Sequence, residues 1–124
     1  MFDPISTQET FLKFGAGGGF TGKVVKFYIT EQGKVYTENG SELVKITSLS
    51  KNATKQLFAN HTKLGLDKMT LNDPGNKYFF IEKSLNGSAQ TIKWGKNLLE
   101  NKNVETFFNI LMSIVKDKTT KVNK

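Results

Sequence analysis

The chain has 124 residues, the length of one ordinary domain, and 37% of them are hydrophobic and 23% charged, which is typical of a globular protein and excludes a disordered chain. Cysteine is absent, which excludes disulfide bonds and thiolate-ligated metal sites. All 18 basic residues are lysines in a chain of net charge +7, and the lack of arginine, the usual bidentate ligand of phosphates and bases, favours a lysine-coated surface over a dedicated nucleic-acid footprint.

After an irregular lead-in over residues 1–10, four strands are predicted, at 10–14, 23–30, 34–38 and 42–49. The first strand is predicted to end where a glycine cluster begins, and the others are rich in β-branched and aromatic residues. Gly33 suits the left-handed position of a three-residue hairpin loop, which places Ile29 beside Val35 and Tyr28 beside Tyr36. The last three strands therefore form a meander.

The hydrophobic period then changes, and two helices are predicted, at 51–64 and 103–118. Ser50 is a natural N-cap of the first helix, and Gly65 suits the left-handed residue that ends it. Ala53, Leu57, His61 and Leu64 lie on one stripe of this predicted helix, with Phe58 beside them. Asn103 is predicted to cap the second helix, and residues 119–124 are predicted to form a frayed basic tail.

Between the two helices, residues 67–78 are predicted to form a loop that contains a Pro-Gly turn. The dipeptide Asn86-Gly87 predicts a two-residue hairpin, whose facing pairs are Leu85 with Ser88, Ile81 with Ile92, and Phe79 with Trp94. The order of elements is β-β-β-β-α-β-β-α. The sequence therefore predicts one α+β domain over residues 1–124, an antiparallel sheet made of a meander plus the Asn-Gly hairpin, with two helices packed on one face.

The glycine cluster consists of Gly15, Gly17, Gly18, Gly19 and Gly22. It matches the start of a phosphate-binding loop as far as Lys23, but Val24 stands where that motif needs Ser or Thr. A strand follows where a phosphate loop must open into a helix, so a nucleotide site is not expected. Two alternatives remain, a closely packed bulge or turn, and a backbone-lined rim that presents Phe20 to a partner.

The remaining sequence shows no clear pattern of catalytic or metal-binding residues. His61 is the sole histidine and lies on an apolar helix stripe, and the 11 carboxylates are dispersed along the chain. We therefore assign no catalytic residue, no cofactor and no metal ligand. A hydrolase with an unrecognised site remains an alternative, which would need a pocket that holds His61 or paired carboxylates.

Three segments carry a resemblance: FGAGGGFTGKVVKFYITEQGKVY, DPGNKYFFIE and IKWG. Over about residues 11 to 115 the chain resembles small bacterial domains, many of which carry lipoprotein-type leaders. The resemblance implies a location in the periplasm or cell envelope, although the N-terminal residues lack a signal-peptide pattern. The residues that match its motifs are Gly17, Gly18, Gly19, Phe20, Thr21, Gly22, Pro74, Gly75, Asn76, Trp94 and Gly95.

The sequence favours a non-enzymatic binding module for a protein or glycan partner. Its predicted surface comprises Gly17, Gly18, Gly19, Phe20, Thr21, Gly22, Pro74, Gly75, Asn76, Tyr78 and Trp94. The alternative is non-specific binding of nucleic acid or an anionic surface through lysines and the sheet aromatics Phe27, Tyr28 and Phe80. No apolar run approaches the roughly 20 residues that cross a bilayer, so no transmembrane segment is predicted.

Overall fold

The chain folds into one sheet with helices on one of its faces. The computed structural model describes residues 2–4, 7–18, 24–39, 42–69, 71–73, 77–85, 88–95 and 102–122. The strands are β1 (Phe11–Gly18), β2 (Val25–Thr30), β3 (Lys34–Asn39), β4 (Glu42–Ser48), β5 (Leu71–Asp73), β6 (Lys77–Leu85) and β7 (Ser88–Trp94). The helices are α1 (Lys51–Lys63) and α2 (Lys102–Val122), and a single 3-10 turn spans Leu66–Lys68.

The strand order in the sheet is β4-β3-β2-β1-β6-β7-β5. Six of these strands pair antiparallel with their neighbours, which confirms the predicted α+β class, the meander and the Asn-Gly hairpin. The seventh, β5, is a three-residue strand parallel to β7, with Leu71 beside Ile92, and it lies where the sequence predicts a loop. A segment of three residues is too short to show a strand period.

The predicted registers are confirmed. In the first hairpin Ile29 pairs with Val35 and Tyr28 with Tyr36, and Gly33 has φ 90°, which side-chain-bearing residues rarely adopt. In the second hairpin the pairs are Leu85 with Ser88, Ile81 with Ile92, and Phe79 with Trp94. Both registers are therefore the ones that the turn residues of the sequence predict.

The first helix begins and ends where its signals predict. The Ser50 hydroxyl accepts a hydrogen bond from the Ala53 amide at 3.1 Å, and Gly65 has φ 83° directly after the last turn. The predicted cap of α2 is wrong, because that helix begins one residue before Asn103. The Asn103 amide instead donates to the Leu64 carbonyl oxygen at 3.3 Å, and so ties the start of α2 to the end of α1.

The core lies between the sheet and the helices. It is built from side chains of β1, β2, β3, β6, β7, both helices and the 3-10 turn, namely Leu12, Phe14, Phe27, Ile29, Val35, Leu57, Leu66, Ile81, Ile92, Trp94, Val104, Phe107, Leu111 and Val115. The α2 helix extends through residues 119–122, where the sequence predicts a frayed tail. No helix within the described ranges is both long and apolar enough to cross a membrane.

Candidate functional site

The face of the sheet opposite the helices is here called the open face. Successive side chains of a strand point to opposite faces, so Phe14 and Ile81 enter the core while their neighbours Lys13 and Phe80 lie on the open face. Four strands contribute to the centre of this face. Their side chains are Lys13 from β1, Lys26 and Tyr28 from β2, Tyr78, Phe80 and Glu82 from β6, and Thr91 and Lys93 from β7.

Two glycines of β1 make room for aromatic rings of β6. Gly15 pairs with Phe80 and Gly17 pairs with Tyr78. A Cβ atom at Gly17 would lie 2.6 Å from the Tyr78 hydroxyl, and a Cβ at Gly15 would overlap the carbonyl oxygen of Val25 and lie 3.2 Å from the Phe80 ring. Close packing therefore explains these two glycines, and β1 continues through them to Gly18 instead of ending at the cluster as predicted.

A groove of about 240 Å³ crosses the open face at these glycines. We call it the lysine groove, and it is lined by Lys13, Val24, Lys26, Tyr78, Phe80, Glu82, Thr91 and Lys93. Its lysines come from three different strands. In the pairing registers Gly15 lies between Lys26 and Phe80, and Phe80 lies beside Lys93. Because β1 carries no side chain at Gly15, lysines on either side border a depression in the sheet.

The charges of the lysine groove are unequal, with three lysines and one glutamate in its lining. The Lys26 ammonium lies 3.4 Å from a carboxylate oxygen of Glu38, and the Lys93 ammonium lies over the Tyr78 ring, 5.0 Å from its centre. Within the described part of the chain, Lys13 makes no ion pair. Among the described residues, no carboxylate lies at ion-pair distance from the ammonium groups of Lys13 and Lys93.

The glutamates of this region are held by hydroxyl groups. The Thr91 hydroxyl donates to Glu82 at 2.8 Å, and the Tyr28 hydroxyl donates to Glu38 at 3.1 Å. Burial raises the pKa of the Tyr28 hydroxyl above its ordinary value, and the hydrogen bond to Glu38 and nearby negative charge raise it further. Tyr28 therefore stays a hydrogen-bond donor at every physiological pH.

The other half of the open face is covered by the N-terminal residues. Phe2 stacks on Tyr36 with ring centres 5.1 Å apart, and its ring meets Phe11 edge-on at 5.2 Å. Tyr28 also belongs to this aromatic cluster, which is separate from the main core. A smaller depression of about 210 Å³, bordered by Pro4, adjoins the lysine groove and shares Lys13, Lys26 and Glu82 with it.

The structure brings together part of the predicted interaction surface. Gly17, Gly18 and Tyr78 lie at one end of the open face, where Gly18 pairs with Lys77. Trp94 does not belong to this surface, because it is 5% exposed in the core and packs against Phe108. The predicted residues Gly19, Phe20, Thr21, Gly22, Pro74, Gly75 and Asn76 lie outside the described residues. In the chain, residues 19–23 stand between Gly18, the last residue of β1, and Val24, which lines the groove.

The aromatic platform expected for nucleic-acid binding is not available. Phe27 faces the helices and stacks on Phe14 with ring centres 5.5 Å apart, which corrects its prediction as a surface residue. Tyr28 and Phe80 lie on the open face, but they are only 3% and 6% exposed. Bases stack on exposed ring faces, so these side chains do not offer such a platform.

The sequence-based surface missed Lys13, Lys26 and Lys93. Each is an ordinary lysine in its own strand, and the three meet only through the pairing of β1 with both β2 and β6, and of β6 with β7. The register of the two hairpins could be read from turn chemistry. The pairing of β1 with β6 has no local signal, because the two strands are distant in the chain.

His61 lies on the helix side of the sheet and takes no part in the lysine groove. It is 2% exposed, and its ring meets Phe107 edge-on with centres 5.6 Å apart. Its pKa is lowered from 6.5 to about 4, chiefly by burial and also by the charge of Lys83, while Asp67 acts in the opposite direction. His61 is thus a neutral core histidine near neutral pH.

No family model matches the chain, and a search of curated proteins finds no match either. Function is therefore inferred from the geometry and charge of the lysine groove.

Proposed function

We propose that this protein is a non-enzymatic binding module whose partner, a protein or a glycan, binds the open face at the lysine groove. The observation that carries the proposal is the groove itself. It combines ammonium groups, hydroxyl groups and the partly exposed ring of Tyr78 on a rigid sheet. Such a mixture of few polar groups around an apolar floor is typical of binding sites.

Binding is favoured over catalysis by the kind of side chains present. The titratable groups of the described lining are Lys13, Lys26, Lys93, Tyr78 and Glu82. His61, the side chain best suited to proton transfer near neutral pH, lies in the core on the other side of the sheet. The groove is therefore better equipped to hold a charged or hydroxylated ligand than to move protons.

The position of the groove also links it to the glycine cluster. Val24 belongs to the lining and Gly17 packs against Tyr78, and in the chain these two residues flank the segment that the sequence predicts to present Phe20. A location in the bacterial cell envelope, which the sequence resemblance implies, would bring such a module next to surface glycans and proteins.

The proposal is tested by amide chemical-shift titration of the whole chain with a fixed set of probes. These are maltohexaose, chitohexaose, an oligogalacturonate, hexaglutamate and a short oligothymidylate. We expect at least one saccharide or peptide to shift the amides of Lys13, Lys26, Tyr78 and Lys93, while the amides of α1 stay in place. Shifts confined to the helices, or no shift with any probe, would refute the proposal.

Two matched valines sharpen this test. Val24 lines the groove and is 42% exposed, whereas Val44 on β4 lies outside it and is 37% exposed. We expect Val24→Trp to block the groove and abolish the shifts, and Val44→Trp to leave them unchanged. If both variants lost the shifts, or both kept them, the placement of the binding site at the lysine groove would be contradicted. Tightest binding to oligothymidylate, with a steep loss in salt, would favour the non-specific alternative.

A further inference from the structure

We infer that the lysine groove takes an acidic saccharide, a sugar ring that carries a carboxylate. This inference rests on the proposed function and deepens it, because it names the chemistry of the ligand. It depends on three features of the groove: its unpaired positive charge, the glutamate beside that charge, and its size.

The positive charge calls for an anionic group. Lys13 has no ion-pair partner within the described part of the chain, and Lys93 contacts the ring of Tyr78 instead of a carboxylate. Of the three lysines, Lys26 alone has a glutamate at ion-pair distance among the described residues. A ligand carboxylate between the strands would give Lys13 and Lys93 the charge-assisted hydrogen bonds that the described residues do not supply.

The glutamate favours a ligand that carries hydroxyl donors as well as a negative charge. Glu82 pairs directly with Lys13 across β1 and β6, and with Thr91 across β6 and β7, so it lies within the groove. Sugar hydroxyl groups can donate to its carboxylate, whereas the phosphates of a nucleic acid or the side-chain carboxylates of an acidic peptide offer it no donor. Arginine, which suits bidentate phosphate recognition, is absent from the chain. A uronate-type sugar combines one carboxylate with several hydroxyls and fits both features.

The size and floor of the groove favour one sugar unit of a longer chain. Its volume of about 240 Å³ is below the ~300 Å³ at which pockets for drug-sized ligands begin. The adjoining depression, which shares Lys13 and Lys26, offers a path for the next unit. A stable protein interface needs about 800 Å² per partner, and Phe2 already covers part of this face. The exposed side chain of Val24 supplies an apolar surface for the C–H face of the sugar ring.

Two related probes test the inference: trigalacturonate, and the same trisaccharide with its carboxylates methyl-esterified. We expect trigalacturonate to bind the groove and the ester to bind at least about tenfold more weakly, because the ester keeps the sugar and loses the charge. We also expect affinity for trigalacturonate to fall severalfold between about 50 and about 300 mM salt.

Single-charge variants locate the effect. Lys13→Gln and Lys93→Gln should each weaken trigalacturonate binding about fivefold or more, with little effect on the ester. Lys55→Gln, on the exposed side of α1, is the matched control and should change nothing. Amide spectra of the free variants report whether each is folded. If a variant does not fold, the comparison of acid with ester on the unaltered chain still decides.

The outcomes separate the inference from the proposed function. If the ester binds as tightly as the acid, or hexaglutamate binds more tightly than trigalacturonate, the inference is wrong and the binding module stands. If oligothymidylate binds most tightly, with a steep loss in salt, both the inference and the proposed function fail in favour of non-specific binding. Equal loss in the Lys55→Gln control would also overturn it. If no probe shifts any amide of the groove, the proposed function itself fails.

Discussion

At Gly15 a Cβ atom would overlap the backbone of β2, and at Gly17 it would lie 2.6 Å from the hydroxyl of Tyr78. Both positions lack a side chain so that rings of the neighbouring strand can lie across β1. The same lack of side chains leaves the depression that the lysines border. The packing of β1 and the lysine groove therefore depend on the same two glycines.

We expect Gly15→Ala to destabilise the protein by about 2–3 kcal/mol, because the added methyl group meets a backbone carbonyl that cannot turn aside. Urea denaturation measures this. The control is Gly65→Ala, where no atom lies within 4 Å of the added carbon and the cost, about 1 kcal/mol, comes only from the left-handed backbone. A Gly15→Ala variant as stable as Gly65→Ala would contradict the packing described for β1.

His61 makes stability depend on pH. In the folded protein the pKa of His61 is lowered from 6.5 to about 4, chiefly by burial. The unfolded chain therefore takes up a proton near pH 6.5, whereas His61 in the folded protein stays neutral until about pH 4. The contribution of neutral His61 to the free energy of unfolding is therefore complete above pH 6.5 and is lost as the pH falls. Between about pH 7.5 and pH 5 the free energy of unfolding should drop by about 2 kcal/mol from this residue.

The variant His61→Leu isolates this contribution, since carboxylates that titrate at lower pH are common to both proteins. Urea denaturation of each protein at pH 7.5 and pH 5 gives the two differences. We expect the gap between the proteins to shift by about 2 kcal/mol in favour of His61→Leu at the lower pH. An unchanged gap would mean that His61 is protonated as easily in the folded protein as in the unfolded chain.

At the scale of elements, one side chain connects the 3-10 turn to the sheet. The Gln90 amide on β7 donates to the carbonyl oxygens of Leu66 and Met69, at 2.6 and 2.8 Å. These two bonds fix the chain between α1 and β5. The short β5 strand then pairs with β7 just beyond them.

We expect Gln90→Ala to cost about 1–3 kcal/mol, the net value of two hydrogen bonds, and to loosen β5. Hydrogen exchange of the amides of residues 71–73 should accelerate together with the loss of stability. Gln56→Ala, an exposed glutamine on α1, is the control and should change stability by less than about 0.5 kcal/mol. Unchanged exchange in β5 would show that its pairing with β7 is sufficient by itself.

Elements with local signals were predicted well. The Ser50 cap and the glycine stop define α1, Gly33 lies in the turn of the first hairpin, and the register of the second hairpin is the one predicted, because each signal acts over a few residues. The errors lie where a distant contact decides. β1 runs through its glycines because β6 covers them, and α2 begins before Asn103, whose side chain bonds to Leu64 instead.

At the scale of the whole molecule, the strand nearest the N-terminus occupies the centre of the sheet. β1 pairs with β2 on one side and β6 on the other, whereas β4 and β5 form the edges. The composition of the candidate site follows from this strand order. Its lysines lie on β1, β2 and β7, and no window of sequence contains all of them. Only the order of strands brings them to one groove, which is why the sequence indicated a binding surface near Tyr78 but not its charge.

Amide exchange should reflect the same order. We expect the slowest amides in β1, around Leu12 and Phe14, and exchange at least about tenfold faster in β4 and β5, which have a strand on one side only. Hydrogen–deuterium exchange with mass spectrometry measures this on the full chain. Edge strands as protected as β1 would contradict the central position of β1.

The pairing of β1 with β6 also governs how the protein can be made. A ribosome releases β1 early, but its second neighbour leaves only after the meander and α1 have been synthesised, since Phe11 pairs with Ser84. Until β6 has been synthesised, the edge of β1 that pairs with it is exposed. Nascent chains that expose an apolar strand edge aggregate readily. Slow translation between these two segments would lengthen the hazard, and chaperone dependence of the newborn chain is its natural consequence.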